Sequence, residues 1–348
     1  MSEPVENRTP NAHGSDQRSP VAAATRTPAS DLPPGPSRRA WLRFRSNKPA
    51  LLGAEYLGAW VLLVLLWPLG LGVLGELGPR SATFAAIYAP DQLSDTPFSP
   101  PTAGHWFGTD AHGRDVFSRV VYGAQVSLLV GVVGACVSLV IGVLWGAIAG
   151  YCGGRVDSLM MRIVDILYSL PSLIFVIVLL TTLGESLRQS HFVQQSPTLA
   201  KELRLLLLFV GLGAVSWLTM ARIVRGQVLS LRTRPFVEAS RALGAGPLRI
   251  LGRHLIPNVF GVVVVYLTLT VPAIVLYESF LSFLGLGIQP PMASWGSLLA
   301  EGVNQINPIR IYWWLIAFPG GVLVSALLAL NFVGDGLRDA WDVRSQNG

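Results

Sequence analysis

Residues able to do chemistry are few and scattered in this sequence. His105 and His112 flank Asp110 and Asp115 in HWFGTDAHGRD, a set of imidazoles and carboxylates that could ligate a metal. A folded loop capped by Thr109 and Asp110 explains the same residues more simply. His254, beside Arg253, reads as an interfacial residue at a helix end rather than a base. Cys136 and Cys152 are the only cysteines and form no CxxC pair, which supports neither a disulfide scaffold nor a cysteine-built metal site. Charged groups in or beside apolar runs are the remaining candidates, because charge is costly in hydrocarbon. Arg162 and Asp165 are three positions apart, on neighbouring turns of a helix, and are expected to form a structural ion pair at a membrane boundary. Glu278 ends an apolar run just before SFLGLG, where it either anchors the following loop or faces a path through the membrane. No nucleophile, base and metal set converges, so no catalytic residue is assigned and a membrane-embedded enzyme is disfavoured.

The elements that carry these residues are set by composition. The chain has 348 residues, is 51% hydrophobic and only 13% charged, against roughly a quarter charged in soluble domains. That composition, with 36 glycines, points to an all-helical polytopic membrane protein. The net charge of +6 comes from 26 basic residues, 24 of them arginine, and by itself would also suggest nucleic acid. Residues 1–37 hold seven prolines and no aromatic residue, and are expected to be a disordered tail. Residues 38–56 open with RRAWLRFRSNK, a basic and aromatic stretch suited to the lipid headgroup layer.

A spanning helix needs about 20 mostly apolar residues. Uncharged stretches run Leu57 to Gly75, Val120 to Gly154, Ile166 to Gly184, Leu205 to Ala221, Leu255 to Tyr277 and Ile311 to Gly334, which predicts six spans within a transmembrane domain over 57–344. Pro171 and Pro272 fall inside the third and fifth, where each permits a kink and makes a candidate gate. In the second, Gly142 and Gly146 have the spacing of close helix packing. Alternate connections, starting with 38–56, carry 16 basic residues and the other three carry 7. Basic residues accumulate in the cytoplasm, so both termini are expected there and the arginine excess records orientation rather than nucleic acid binding. The outer connection Gly184 to Leu203 is long and is expected to be a loop.

The connection at 222–258 is too structured for a simple link. Pro235 fits the first turn of a helix with Phe236, Ala239, Ser240 and Leu243 on one face. Gly244 to Gly246 breaks it, Pro247 starts a second helix with Leu248, Leu251 and Leu255 aligned, and Pro257 is expected to end that helix at the membrane surface. The result is a compact knob that a cytoplasmic partner could grip.

At these residues the sequence resembles the permease subunits of ATP-binding cassette importers, whose EAA loop is matched by Glu238, Ala239, Ser240 and Gly244, closing at Ile256 and Pro257. Ser240 in place of Ala, and His254 in place of Ile, resemble the oligopeptide and dipeptide branch. The stretches Phe107 to Gly131, Gly150 to Ser172, Phe280 to Gly296 and Asn331 to Arg344 look like its C-type subunit, with Gln125 and Val343 as departures from the usual Arg and Pro. The resemblance implies a type I ABC importer permease fold and import of oligopeptides or dipeptides. A same-family importer of nickel, glutathione or another small solute is the alternative, and an ion-coupled secondary transporter lacks the midplane acidic residues it would need. In the coupling loop, Gly244 would form the elbow, Ala242, Leu243 and Ala245 the inserted tip, and Glu238 a polar anchor.

The chain has no GxxxxGK[ST] loop; its only lysines are Lys48 after Asn47 and Lys201 after Ala200. It is therefore expected to bind no cofactor itself, with ATP and magnesium held by two partner ATPase subunits. The other partners implied are a second permease subunit forming a heterodimer, an extracytoplasmic substrate-binding protein and the lipid of a bacterial or archaeal inner membrane.

Overall fold

The computed structural model describes residues 36–76, 85, 87–188, 197–290 and 292–341. The expected disordered tail lies outside the described residues except for Pro36 and Ser37, which begin the first helix. Among the described residues the regular elements are all helices. They are α1 Pro36–Ser46, α2 Lys48–Glu76, α3 Val116–Cys152, α4 Gly154–Ser169, α5 Ser172–Arg188 and α6 Pro197–Leu231, then α7 Pro235–Ala242, α8 Pro247–Ile250, α9 Ile256–Phe283, α10 Trp295–Val303 and α11 Trp314–Trp341. Among the described residues, five helical stretches are long and apolar enough to cross a membrane, and α4 with α5 makes the sixth if the bent pair is one span.

The third span is where the sequence reading needs correction. Instead of one helix over Ile166 to Gly184, α4 and α5 meet at an 88° bend. Leu170, with φ −80° and ψ 137°, is extended, because a residue before proline is pushed out of the helical region by the proline ring. Pro171 thus lies between two helices rather than inside one. Pro272, in contrast, is inside α9 and buried, and the helix continues through it. The outer connection is also shorter than expected: α5 extends to Arg188 and α6 begins at Pro197, while 189–196 lie outside the described residues.

Helix α3 is the axis of the bundle because its glycines let two neighbours come close. A Cβ on Gly142 would lie 2.6 Å from Met220 Cβ, one on Gly146 would strike the Ala221 carbonyl, and one on Gly150 would lie 2.9 Å from the Arg225 carbonyl. All three glycines face α6. Gly131 and Gly134 do the same toward α9, where Val275 and Ile274 fill the space. Between apolar helices in lipid, association depends on such close packing, since lipid tails are as apolar as leucine.

At the far end of α3, Trp295 of α10 is fully buried and its indole N–H donates to the Val120 carbonyl at 3.2 Å. At the chain start, α1 packs Ala40 and Phe44 against Ala50 and Ala340 and leaves Trp41 and Leu42 exposed.

Candidate functional site

The knob after α6 is built as a helical hairpin whose turn is determined by backbone geometry. Arg234 is extended, with φ −77° and ψ 146°, and Pro235 starts α7, as expected for a ring that pre-sets the helical φ and lacks a hydrogen to leave unpaired. Gly244 has φ +79°. The Ala245 N–H donates to the Ser240 carbonyl at 3.0 Å and the Gly244 N–H to that of Arg241 at 2.9 Å. This pair of bonds is the Schellman helix end, which needs a left-handed residue one place past the cap. Gly244 is accordingly the elbow.

Burial divides the knob's apolar residues into two sets. Val237, Ile250 and Leu255 are fully buried and join Val224 and Val228 of α6 and Val143 and Ala147 of α3 in one cluster. Leu243 is 89% exposed and Leu248 84% exposed. Phe236, Ala239 and Ala242 are also exposed, and Ser240 and Ala245 are half-buried. The face that was expected to carry Phe236, Ala239, Ser240 and Leu243 is thus the outer one, and Val237, one position along, anchors α7.

Two further expectations are corrected here. Pro257 does not end the second helix; it lies in the first turn of α9, which follows α8 through a π-helical turn at Leu251–Leu255. The Ile256 N–H reaches back to the Leu251 carbonyl. That wider turn separates Leu248, which points outward, from Leu255, which is buried. Glu238 is exposed in the first turn of α7 and makes no side-chain hydrogen bond among the described residues, so Val237 rather than Glu238 holds the loop to this chain. Ser240 Oγ donates to the Phe236 carbonyl at 2.8 Å and lies 3.5 Å from His254 Nε2, which places His254 in the hairpin itself.

The expected Arg162–Asp165 pair is replaced by a tertiary one. Asp165 accepts from Arg222 Nη2 of α6 at 2.7 Å. A second pair that the sequence reading missed lies nearby: Arg225 Nε and Nη2 donate to the two oxygens of Asp157 at 2.5 and 2.7 Å. Arg222, Arg225 and Arg232 recur three and seven positions apart on one helical face, and that spacing at the end of an apolar run was the available signal.

On the opposite end of the bundle, the segment before α3 folds as a loop held by Thr109 and Asp110. Thr109 Oγ1 accepts from the Ser99 N–H at 2.8 Å and donates to the Thr96 carbonyl at 2.6 Å. Asp110 Oδ1 accepts from the backbone of His112 and Arg114 at 2.8 and 3.0 Å. Asp115 caps α3 by accepting from the Ser118 N–H at 2.9 Å, and His105 Nδ1 lies 3.0 Å from its other oxygen. Burial pushes the Asp115 carboxyl above the ordinary aspartate range, opposed by its bonds to Ser118 and His105. His112 is directed elsewhere, 3.4 Å from Arg114, so the two histidines serve different partners.

Arg119, nearly buried in the first turns of α3, binds Asp110 at 2.8 Å and Glu301 of α10 at 2.5 Å, and Arg114 binds the same two carboxylates. This network borders an open cleft of about 380 Å³. Its two cations and two anions largely satisfy one another, so it reads as the fastening of α10 to the outer loop. Glu278 is fully buried, accepts from Ser127 and Ser282 at 3.0 and 2.6 Å, and anchors the turn after α9. Of its two expected roles, the geometry supports the anchor.

The chain as a whole is similar to several known proteins. Residues 142–346 match the family model described as binding-protein-dependent transport system inner membrane component. The dipeptide transport system permease protein DppC of Bacillus subtilis is 42% identical over 87% of this chain and 84% of its own length. The oligopeptide transport system permease protein OppC of Escherichia coli is 44% identical over 87% of this chain and 90% of its own. A chain from the inward-facing MetNI methionine ABC transporter superposes with a TM-score of 0.47 at 22% identity, covering 64% of this chain and 97% of that one. By the family match and these identities, the chain belongs to the inner-membrane components of binding-protein-dependent transport systems, as a multi-pass membrane protein.

Proposed function

We propose that this chain is the translocation subunit of an ATP-driven importer of oligopeptides or dipeptides, and that it performs no chemistry on what it carries. The observation that carries the reading is the knob: a hairpin fixed to the bundle by Val237, Ile250 and Leu255 that presents Leu243 and Leu248 to a partner. Exposed leucines on a rigid, anchored tip suit insertion into a groove on another protein. That partner is an ATPase subunit, two per transporter, which holds ATP and magnesium. A second permease subunit completes the pathway as a heterodimer, and a substrate-binding protein delivers peptide on the opposite side. The knob and both chain ends then face the cytoplasm of a bacterial or archaeal cell, in line with the excess of basic residues on those segments. The peptide substrate is supported by the relatives, which are named for dipeptides and oligopeptides.

Gly244→Trp tests the docking role. A Cβ added at this position has nothing within 4 Å, but the φ of +79° is strained for any residue with a Cβ. The variant is expected to insert in the membrane normally and to lose ATP-dependent peptide uptake. Normal uptake by that variant counts decisively against docking through this tip.

A further inference from the structure

Four arginines leave α6 and α7 and reach the same neighbour, the α3–α4 turn together with α4. Arg225 takes both oxygens of Asp157, and Arg222 takes Asp165 at 2.7 Å with its guanidinium 4.2 Å from the centre of the Tyr168 ring. Arg232 Nη1 donates to the carbonyls of Gly150 and Tyr151 at 3.1 and 3.4 Å. Arg241, inside α7, lies 5.4 Å from the centre of the Tyr151 ring. The glycine turn makes room for this grip: a Cβ on Gly153, whose φ is +66°, would collide with the Arg232 guanidinium.

Besides these arginines, the Trp145 indole N–H of α3 donates to the Met160 carbonyl at 3.3 Å and so also holds helix α4. Helix α4 buries only Asp157 and Val164, and Val164 packs on Trp217, Leu218 and Ala221 of α6. The helices that hold α4 are therefore α6, which leads directly into the knob, and α3, against which α6 packs through Gly142, Gly146 and Gly150. At its other end α4 is separated from α5 by extended Leu170, Pro171 and the 88° bend. One end is stiffly held and the other is a joint.

We propose that α4 is a lever carried by the packed α3–α6 pair, which also carries the knob, and that Arg225 and Asp157 are the positioning residues that make it one. The proposal rests on the reading of the knob as the ATPase docking site. Displacement of the knob passes along α6, is transferred through the two-point Arg225–Asp157 contact, and becomes movement of α5 by bending at Leu170–Pro171. A bidentate guanidinium–carboxylate pair resists rotation in a way a single bond does not. The Arg222–Asp165 pair, 41% and 64% exposed, is screened by solvent and has the lesser part.

The test uses the full chain in proteoliposomes with the subunits that copurify with it, in a background of Cys136→Ser and Cys152→Ser, since both native cysteines are exposed. Asp157→Cys with Arg225→Cys is expected to lower peptide uptake per ATP hydrolysed on the order of tenfold, and a short bismaleimide joining the two thiols to restore it. Recovery by a tether in place of the ion pair is an outcome that a merely stabilising role does not give. Arg225→Asp with Asp157→Arg is expected to recover uptake likewise, and Arg225→Lys, which keeps the charge without the fork, to be intermediate. Unchanged uptake in the untethered cysteine pair, or a tether that leaves uptake low, overturns the lever. Failure of the unmodified chain to capture an ATPase overturns the docking reading instead, so the two are told apart.

Discussion

Glu278 and Ser127, 151 residues apart in sequence, are joined at 3.0 Å in the buried layer between α9 and α3. Ser127 Oγ in turn accepts from the Trp295 N–H at 3.2 Å, so one hydroxyl connects α3, the end of α9 and the start of α10. Ser282 completes the arrangement by donating to Glu278 at 2.6 Å and accepting from the Ile288 N–H at 3.0 Å, which shapes the turn. Removing the carboxylate leaves buried hydroxyls without their acceptor. Glu278→Ala is expected to destabilise the protein by about 2–4 kcal/mol, and Glu278→Gln by less because the amide oxygen still accepts. Thermal unfolding in detergent measures both, and equal losses for the two variants would remove the anchoring role.

The glycines of α3 yield a paired prediction. Gly146→Ala drives a methyl group into the Ala221 carbonyl, whereas nothing lies within 4 Å of a Cβ added at Gly226. The first is expected to cost about 1–3 kcal/mol through overpacking, and the second to be neutral or stabilising by up to about 1 kcal/mol, the helix propensity difference between glycine and alanine. The same unfolding assay checks the contrast.

The two sets of apolar residues in the knob are separable by substitution. Leu243→Asp changes an 89% exposed side chain and is expected to leave stability unchanged while abolishing copurification of the ATPase. Val237→Asp places a charge in the fully buried anchor and is expected to lower thermal stability as well. A protein with Leu243→Asp that still captures the ATPase would show that the tip is not the contact.

Asp115 provides a pH signature. Its folded value is raised above the ordinary 3.8, chiefly by burial. Its linkage contribution is therefore fully present below about that unfolded value and is lost as pH rises through the folded one. Comparing the native protein with Asp115→Asn, which keeps an N-cap acceptor, is expected to show the native protein gaining relative stability as pH falls through that range. Thermal unfolding of both across the acid range measures it; a relative loss with acid would reverse the assignment.

How much of this was legible beforehand differs from element to element. The knob's hairpin, its glycine elbow and its two helix starts follow from Pro235, Gly244 and Pro247, whose backbone limits are intrinsic to the residue. Which leucine faces outward did not follow, because the π-helical turn at Leu251–Leu255 shifts the register between Leu248 and Leu255. Pro171 was legible as a disruption, but whether it kinks or breaks its span depends on what packs around it. The choice of Arg162 as partner for Asp165 failed for a similar reason: local spacing places two residues within reach, and a neighbouring helix offered Arg222 instead.

By itself the sequence determined a many-span helical membrane chain, because a backbone in hydrocarbon must satisfy its own hydrogen bonds within each apolar run. It also determined the knob's outline and the lack of a GxxxxGK[ST] loop in this chain. Only the tertiary structure decided that Arg225 meets Asp157 across 68 residues and that Arg119 meets Glu301 across 182. Such pairings depend on where helices cross, and here the crossing is fixed by glycines of α3, whose close-packing spacing the sequence shows at Gly142 and Gly146 but whose partner helix only the structure names.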